Sequence, residues 1–323
     1  MDKMKSICLF SSYYNGERIP YYVKYYLAEL RKYFSEIVFI TNEKKIAGDD
    51  IVWLKESNIQ EMMIANDGYD FGMWYKAMKR YDITAYDQVG LINDSCILFK
   101  PLDSVFDWIN TSHLDYCGMV SSRRRGFHLQ SFFVVINKNA IRPVYDYFME
   151  TGIITDYTQV IIAYEVGLSA HLQRLNLSIG GMYYSKKNIE QHNPSFLIIE
   201  DLIIEGMPLI KKKIIFRSYR RAEYISLLRM RFNIDHRHYI ELIERTNKNQ
   251  PCIDFERALK DFSNANLFDI YLYKIVLRLY LIASKSQLLT FLFHQLILLR
   301  RHLKGNKDRN ILITSEQEHT GNK

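Results

Sequence analysis

The residues of this sequence best placed for chemistry are Asn93, Asp94 and Ser95, which directly follow the apolar run 89–92. That run predicts a short buried strand, which the three polar residues end. Ligands of open α/β sheets bind at the carboxyl ends of strands. A carboxylate at such an end suits a divalent cation that holds a diphosphate, because hard cations take oxygen ligands and share them with phosphate. The alternative is a turn in which Asn and Asp cap the backbone.

A second group of polar residues precedes the predicted helix 71–81. Gly68 allows backbone amides to approach a ligand closely, Asp70 faces that ligand, and Asn66 lies beside them. Ser11 and Tyr13 end the first predicted strand, where a nucleotide base and ribose are expected to bind. The alternatives are a tight turn with Asp70 as a helix cap, and an ordinary surface tyrosine at position 13.

These residues need a sheet whose strand ends meet at one edge, and the pattern of the chain predicts such a sheet. The predicted strands are 6–12, 37–41, 51–54, 88–93, 96–99, 116–121 and 131–137. The predicted helices are 20–33, 71–81, 102–109, 140–150 and 158–176. Alternating strands and helices indicate βαβ units and a mostly parallel sheet that is covered on both faces. The predicted fold class is therefore α/β.

The C-terminal third differs in charge from the rest of the chain. The net charge is +7, but residues 211–310 carry 21 Lys and Arg against 9 Asp and Glu. Residues 217–308 have the pattern of basic, apolar helices, and residues 309–323 that of a disordered tail. The longest uncharged run, 286–299, is shorter than the roughly 20 residues of a bilayer span. We expect these helices to lie on an anionic membrane surface or, alternatively, to pack on the α/β domain.

Composition also bears on compartment and partners. The four cysteines have no metal-ligand spacing, and free cysteines in apolar runs suit a reducing compartment. The apolar stretch 7–10 is too short for a signal peptide. We therefore expect a cytoplasmic protein that is peripheral on the inner face of the plasma membrane. A nucleic-acid partner is not expected, because the basic third has no helix-turn-helix, RNP-like or zinc pattern.

Several of these runs resemble one known family when they are taken in order. The segments 66–74, 91–95 and 128–133 resemble motifs of the rhamnan synthesis protein F family, and their order and spacing match over residues 6–216. The segments 165–169 and 206–211 look like later landmarks of the same family. The family comprises bacterial glycosyltransferases of cell-surface polysaccharide assembly. The resemblance implies a GT-A-like nucleotide-sugar-binding domain over residues 1–216.

The resemblance also implies how the donor diphosphate is held. In such enzymes an Asp-x-Asp element holds a divalent metal against the diphosphate, whereas this chain has Asn93-Asp94-Ser95 with one carboxylate. Either Asp94 coordinates Mg²⁺ or Mn²⁺ with help from water and phosphate oxygens, or it binds a sugar hydroxyl while basic residues neutralise the diphosphate. A late histidine or lysine reaches the diphosphate in related folds, and His192 and Lys211 are the candidates here.

The acceptor side requires a base and groups that orient hydroxyls. Inverting transfer needs a carboxylate that takes a proton from the acceptor hydroxyl, and Glu165 is the candidate, with Asp156 as competitor; the alternative for Glu165 is an exposed helix residue. Asp115, His128 and Gln130 are candidates for acceptor binding, since His128 and Gln130 share one face of a strand.

The predicted function is a glycosyltransferase of the hexosyltransferase class. It moves a sugar, at family level rhamnose, from a nucleotide diphosphate donor to a growing, lipid-linked cell-surface polysaccharide such as O-antigen lipopolysaccharide. The alternatives are a retaining or sugar-phosphate transferase, and a non-catalytic scaffold of a polysaccharide assembly complex.

Overall fold

The structure is a computed structural model that describes residues 4–184, 194–197 and 199–212. These residues belong to one compact unit of the chain. The predicted domain boundary at residue 216, the C-terminal helices, the polar tail and His192 lie outside the described residues. Within the described part of the chain, each helix is too short or too polar to cross a bilayer.

Strands and helices alternate along most of the described chain. The strands are β1 Ser6–Ser12, β2 Glu36–Asn42, β3 Gln60–Ile64, β4 Gln88–Asn93, β5 Cys96–Leu98, β6 Tyr116–Ser122, β7 His128–Leu129, β8 Phe133–Asn137, β9 Ile179–Tyr183 and β10 Leu209–Lys211. The helices are α1 Tyr21–Leu30, α2 Gly48–Glu56, α3 Tyr69–Arg80, α4 Asp103–Thr111, α5 Lys138–Thr151, α6 Tyr157–Val160, α7 Leu168–Arg174, α8 Pro194–Leu197 and α9 Ile199–Ile204. A π-helix, Ile161–Gly167, joins α6 to α7.

The main sheet of the described residues has eight strands in the order β3-β2-β1-β4-β8-β6-β7, with β9 paired to β6. The strands β3, β2, β1 and β4 are parallel, β8 is antiparallel to both of its neighbours, and β9 is parallel to β6. A second, two-stranded sheet pairs β10 with β5. The predictions of an α/β fold and a mostly parallel sheet are confirmed.

Both faces of the central strands β1, β4 and β6 are buried, as their continuous apolar residues require. Cys8 and Phe10 of β1 point into a core shared with α1 and α4. Ile7 and Leu9 of the same strand point into the opposite core, shared with α3 and α5. The alternation along β1 decides which helix each polar side chain meets at the end of the strand.

Some predicted elements differ from the structure, and some elements of the structure were not predicted. Residues 51–54, predicted as a strand, lie in helix α2, whose first turn carries Asp49 and Asp50 and whose last turn carries Lys55, an arrangement that favours a helix dipole. The strand β3 has only Met62 buried, so it lacks the apolar run that would have predicted it. The predicted helix 158–176 contains the π-helical segment; such segments occur frequently at functional sites.

Candidate functional site

The carboxyl ends of β1 and β4 meet at one edge of the sheet, where Ser11 pairs with Asn93. Asp94 continues this contact, since its N–H donates to the carbonyl oxygen of Ser11 at 3.1 Å. The alternation of side chains sends Ser11 and Asn93 to the α3 face, and Ser12 and Asp94 to the α1 face. The edge therefore carries two polar clusters, one on each face of the sheet.

The first cluster is centred on Asp70 in the first turn of α3. Its Oδ1 accepts a hydrogen bond from Ser11 Oγ at 2.9 Å, and its Oδ2 accepts one from Asn93 Nδ2 at 2.8 Å. Trp74, one helical turn later, donates from Nε1 to the carbonyl oxygen of Leu9 at 3.0 Å. Helix α3 is thus attached to β1 at two points one turn apart, and this attachment aims Asp70 at the edge of the sheet.

Burial raises the pKa of the Asp70 carboxyl to about 6. The negative charge of Asp94 adds to this rise and that of Glu165 contributes further, whereas the hydrogen bond from Ser11 and the ammonium of Lys212 oppose it. Such a pKa lies close to physiological pH, where a carboxylate is an effective proton acceptor. Asp70 can therefore serve both as a hydrogen-bond acceptor and as a base.

The second cluster is centred on Asp94, whose residue exposure is 5%. Its Oδ2 accepts three hydrogen bonds, from Ser12 Oγ at 3.0 Å, Tyr22 OH at 3.1 Å and Lys212 Nζ at 2.9 Å. Lys212 also donates to Tyr22 OH at 3.1 Å. The arrangement is a buried, charge-assisted network that holds an ammonium at the end of β4.

Lys44 brings a second ammonium to this side of the sheet. Its Nζ donates to the carbonyl oxygen of Tyr14 at 2.6 Å and lies 3.1 Å from the centre of the Tyr14 ring. Burial lowers the pKa of Lys44 to about 8, and the charge of Asp94 partly offsets this effect. The positive charge of Lys44 is thus incompletely compensated, and an anion would stabilise it.

Glu165, the predicted base, lies in the π-helix and is partly exposed. Its Oε1 accepts hydrogen bonds from Ser131 Oγ at 2.6 Å and from the Ser131 N–H at 3.4 Å. The preceding residue, Tyr164, stacks on Phe71 of α3 with ring centres 4.7 Å apart. This packing holds the π-helix against α3, on the side of the sheet that carries Asp70.

The other predicted donor residues are divided between the site and the surface. Tyr13, 54% exposed, and Asn66 are at the surface near the strand ends. Gly68 is the N-cap of α3 with φ of 81°, a conformation that glycine adopts without strain. The Ser95 N–H donates to Asn93 Oδ1 at 3.0 Å, so these two residues form the turn that was the alternative interpretation of this motif.

Two predicted acceptor residues, His128 and Gln130, and the competing base candidate Asp156 make hydrogen bonds within the protein. His128 is buried beside the end of β6 with Nδ1 3.0 Å from the carbonyl oxygen of Gly126, and Gln130 is buried with its Oε1 accepting from Ser195 Oγ. Asp156 caps α6 by accepting from the Gln159 N–H at 2.8 Å. These contacts are ones that hold loops and helix ends in place.

Asp115 lies at the opposite edge of the sheet. It precedes β6, which runs in the same direction as β4, and its carbonyl oxygen accepts from the N–H of Asn137, the residue paired with Gln88 at the start of β4. Its carboxylate accepts hydrogen bonds from Ser178 and Asn139. The structure therefore does not bring Asp115 to the candidate site. The site lies at the carboxyl ends of the parallel strands, whereas Asp115 lies at the amino end of β6.

Sequence reasoning missed four residues of the second cluster, Ser12, Tyr22, Lys44 and Lys212. Lys211 was the lysine predicted to reach the diphosphate, but the structure places its Nζ 5.1 Å from the centre of the Phe132 ring and brings the next residue, Lys212, to Asp94. The pairing of β10 with β5 determines which of the adjacent lysines reaches Asp94, and no local sequence pattern indicates this pairing. Ser12 lies beside Ser11 and could have been included from the strand end alone.

The groups around Asp94 do not fit a divalent cation. The Oδ2 of the predicted metal ligand already accepts from an ammonium, which would repel a metal ion at the same oxygen. Over the residues that the structure describes, no three His, Cys, Asp or Glu side chains come together as metal ligands. Hard cations bind through several oxygen ligands, and here the protein supplies a cation instead.

Comparison with known proteins gives one family and several distant folds. A family model described as rhamnan synthesis protein F matches residues 37–260. No curated protein matches the chain significantly. The solved structures that match include a cytidylyltransferase from Leptospira borgpetersenii serovar Hardjo-bovis, with 15% identity, a TM-score of 0.39, and coverage of 78% of this chain and 97% of that one. Another is a putative nucleotide-diphospho-sugar transferase from Desulfovibrio desulfuricans G20, with 17% identity, a TM-score of 0.38, and coverage of 71% and 95%.

Proposed function

Since the chain belongs to the rhamnan synthesis protein F family, we propose that it is a glycosyltransferase that moves a sugar from a nucleotide diphosphate donor onto a growing polysaccharide. The observation that carries this proposal is the pair of polar clusters between β1 and β4. The chain passes from β1 to β2 on one side and places β4 on the other, so the strand order reverses there. Ligands of open α/β sheets bind at such a switch point.

The chemistry follows from the charges of the two clusters. A hydroxyl oxygen of the acceptor attacks the anomeric carbon of the sugar, and the bond from that carbon to the diphosphate breaks with its electron pair leaving on the diphosphate. The ammonium groups of Lys212 and Lys44 would stabilise the charge that develops there. The acceptor proton passes to a carboxylate on the α3 face of the sheet.

Two carboxylates are candidates for this base. Glu165 lies in the π-helix with one oxygen bonded to Ser131, and it fits an inverting displacement. Asp70 is the competitor, because its pKa of about 6 suits a base near neutral pH. We assign the base to Glu165, since both oxygens of Asp70 are already engaged in tying Ser11 and Asn93 together.

The base assignment is tested with Glu165→Gln and Asp70→Asn in parallel. Loss of the base leaves donor binding intact and removes turnover, so Glu165→Gln is expected to bind nucleotide like the unmodified protein and to lose transfer by a factor of about 100 or more. Retained turnover in Glu165→Gln, with turnover lost and nucleotide binding intact in Asp70→Asn, would move the role to Asp70.

The sugar, acceptor and location are the finer parts of the proposal. The family description, which names rhamnan synthesis, supports rhamnose as the sugar and a polysaccharide as the product. The basic, apolar composition of residues 217–308 supports a lipid-linked acceptor at the inner face of the plasma membrane. The full chain should therefore cosediment with anionic liposomes and not with neutral ones; equal recovery with both would contradict this part.

The first test of the function is calorimetric titration with a panel of nucleotide diphosphates and nucleotide sugars. A transferase of this type should bind one nucleotide with a dissociation constant in the micromolar range, about −8 kcal/mol. Folded protein that binds none of them would contradict the proposal and favour the non-catalytic scaffold.

A further inference from the structure

The ion pair between Lys212 and Asp94 occupies the position where the family pattern implies a metal. The two groups are 2.9 Å apart, with side-chain exposures of 19% and 7%. A buried charge pair of this kind is maintained only when its geometry and additional hydrogen bonds compensate for desolvation, and here Ser12 and Tyr22 supply those bonds. The carboxylate of Asp94 therefore serves to hold the ammonium of Lys212.

The backbone fixes Lys212 in this position. Residues Leu209 and Ile210 of β10 pair with Leu98 and Ile97 of β5, and all four are buried. The N–H of Lys212 then donates to the carbonyl oxygen of Ser95 at 2.9 Å. An ammonium group has three N–H donors. Among the residues that the structure describes, Asp94 and Tyr22 accept two of them, so the third can donate to a ligand oxygen.

The charge at this position favours an anion such as a diphosphate. Lys212 and Lys44 together carry two positive charges, as a divalent cation does, and both interact with the charge of Asp94. Asp94 neutralises one of them, so the cluster has a net positive charge when it is empty. A diphosphate carries at least two negative charges, and the remaining positive charge of the cluster would favour its binding.

We propose that Lys212 and Lys44 bind the donor diphosphate directly, in place of a divalent metal, and that Asp94 is a positioning residue that holds Lys212. This inference rests on the proposed function, because it names how the same site binds its donor. It explains why the chain has one carboxylate where an Asp-x-Asp element would have two.

The decisive measurement is calorimetric titration of the full chain with UDP, dTDP, GDP, CDP and ADP in three buffers, containing EDTA, Mg²⁺ or Mn²⁺. We expect the affinity for the nucleotide that binds to agree within about threefold among the three buffers, because the protein supplies the counter-charge itself. Binding that is present with metal and absent with EDTA would overturn the inference and leave the proposed function standing. Absence of binding in all three buffers would overturn the proposed function and the inference with it.

The variant Lys212→Met tests the residue itself. In EDTA buffer it should lose about tenfold or more in nucleotide affinity, as expected for a hydrogen bond between charged groups. The matched control is Lys24→Met, which removes the ammonium of a comparable ion pair, Lys24 to Asp50 at 2.5 Å with side-chain exposures of 26% and 2%. Both variants should lose thermal stability, and Lys24→Met should bind nucleotide normally. Equal affinities in the two variants would contradict the assignment.

The positioning role of Asp94 requires a measurement that a purely structural role would not affect. Asp94→Asn should weaken nucleotide binding when Lys212 is present, because the ammonium loses its anchor, and should have no further effect in the Lys212→Met background. This non-additivity is the coupling that a double-mutant cycle measures. Additive losses would show that Asp94 acts on the nucleotide independently of Lys212.

Discussion

Asp70 makes the stability of the folded protein depend on pH. Its pKa is about 6 in the folded protein against an ordinary value of 3.8. The folded protein therefore holds the proton more tightly than the unfolded chain does, and the unfolding free energy decreases as the pH rises from about 4 to about 6. Above the folded-state pKa the protein increasingly carries the cost of this partly buried charge.

We expect Asp70→Asn to raise the unfolding free energy above pH 6. The asparagine is neutral and can accept from Asn93 and donate to Ser11, so the network is preserved. A pKa shift of about two units corresponds to a gain in unfolding free energy of at most about 3 kcal/mol. Urea denaturation of both proteins between pH 4 and 8 measures the difference. It should be near zero at pH 4 and grow toward pH 6, and a constant difference would contradict this account.

Lys44 predicts the pH dependence of nucleotide binding. Its pKa is about 8 because burial disfavours the ammonium form, and a bound anion favours the protonated form. The affinity for a nucleotide diphosphate should therefore fall as the pH rises from 7 to 9.5. Lys44→Arg keeps its charge over this range, so the decrease should be smaller in that variant when affinities are measured at each pH. Parallel profiles would indicate that another group titrates.

At the scale of elements, the start of α3 depends on two glycines. A Cβ at Gly72 would clash with the carbonyl oxygen of Asp67, and one at Gly68 would press against Ile153. The close approach lets the chain turn sharply from β3 into the helix and brings Asp70 to Ser11. The resemblance motif at 66–74 thus has a steric basis that is independent of any ligand.

Gly72→Ala should destabilise the protein although alanine is the better helix former. In an exposed helix this change would stabilise by up to about 1 kcal/mol, whereas here the added methyl group must displace the Asp67 backbone. The control is Gly48→Ala in the first turn of α2, where no atom lies within 4 Å of the added Cβ. Thermal denaturation should show a lower melting temperature for Gly72→Ala only. Equal melting temperatures would mean that the loop accommodates the methyl group.

At the scale of the whole molecule, the sequence predicted the structural features that residues close together in the chain determine. Apolar runs located β1 and β4, and the polar residues that end them located Ser11, Asn93 and Asp94 at one edge. The prediction failed where packing between distant segments determines the structure. Residues 51–54 lie in a helix, and Lys212 lies 118 residues from the Asp94 that it contacts. Such a contact depends on the pairing of β10 with β5, which no local pattern encodes.

The placement of the site at one edge of the sheet predicts where a ligand protects the backbone. A nucleotide diphosphate bound between β1 and β4 should slow amide hydrogen exchange in the segments 11–16, 66–72, 93–96 and 209–212, because local opening at the bound edge becomes less frequent. Segment 113–116, which contains Asp115, lies at the opposite edge and should exchange at the same rate with and without nucleotide. Exchange measured by mass spectrometry with saturating nucleotide separates the two edges within one experiment. Protection at 113–116 without protection at 93–96 would place the ligand at the wrong end of the strands and contradict the site.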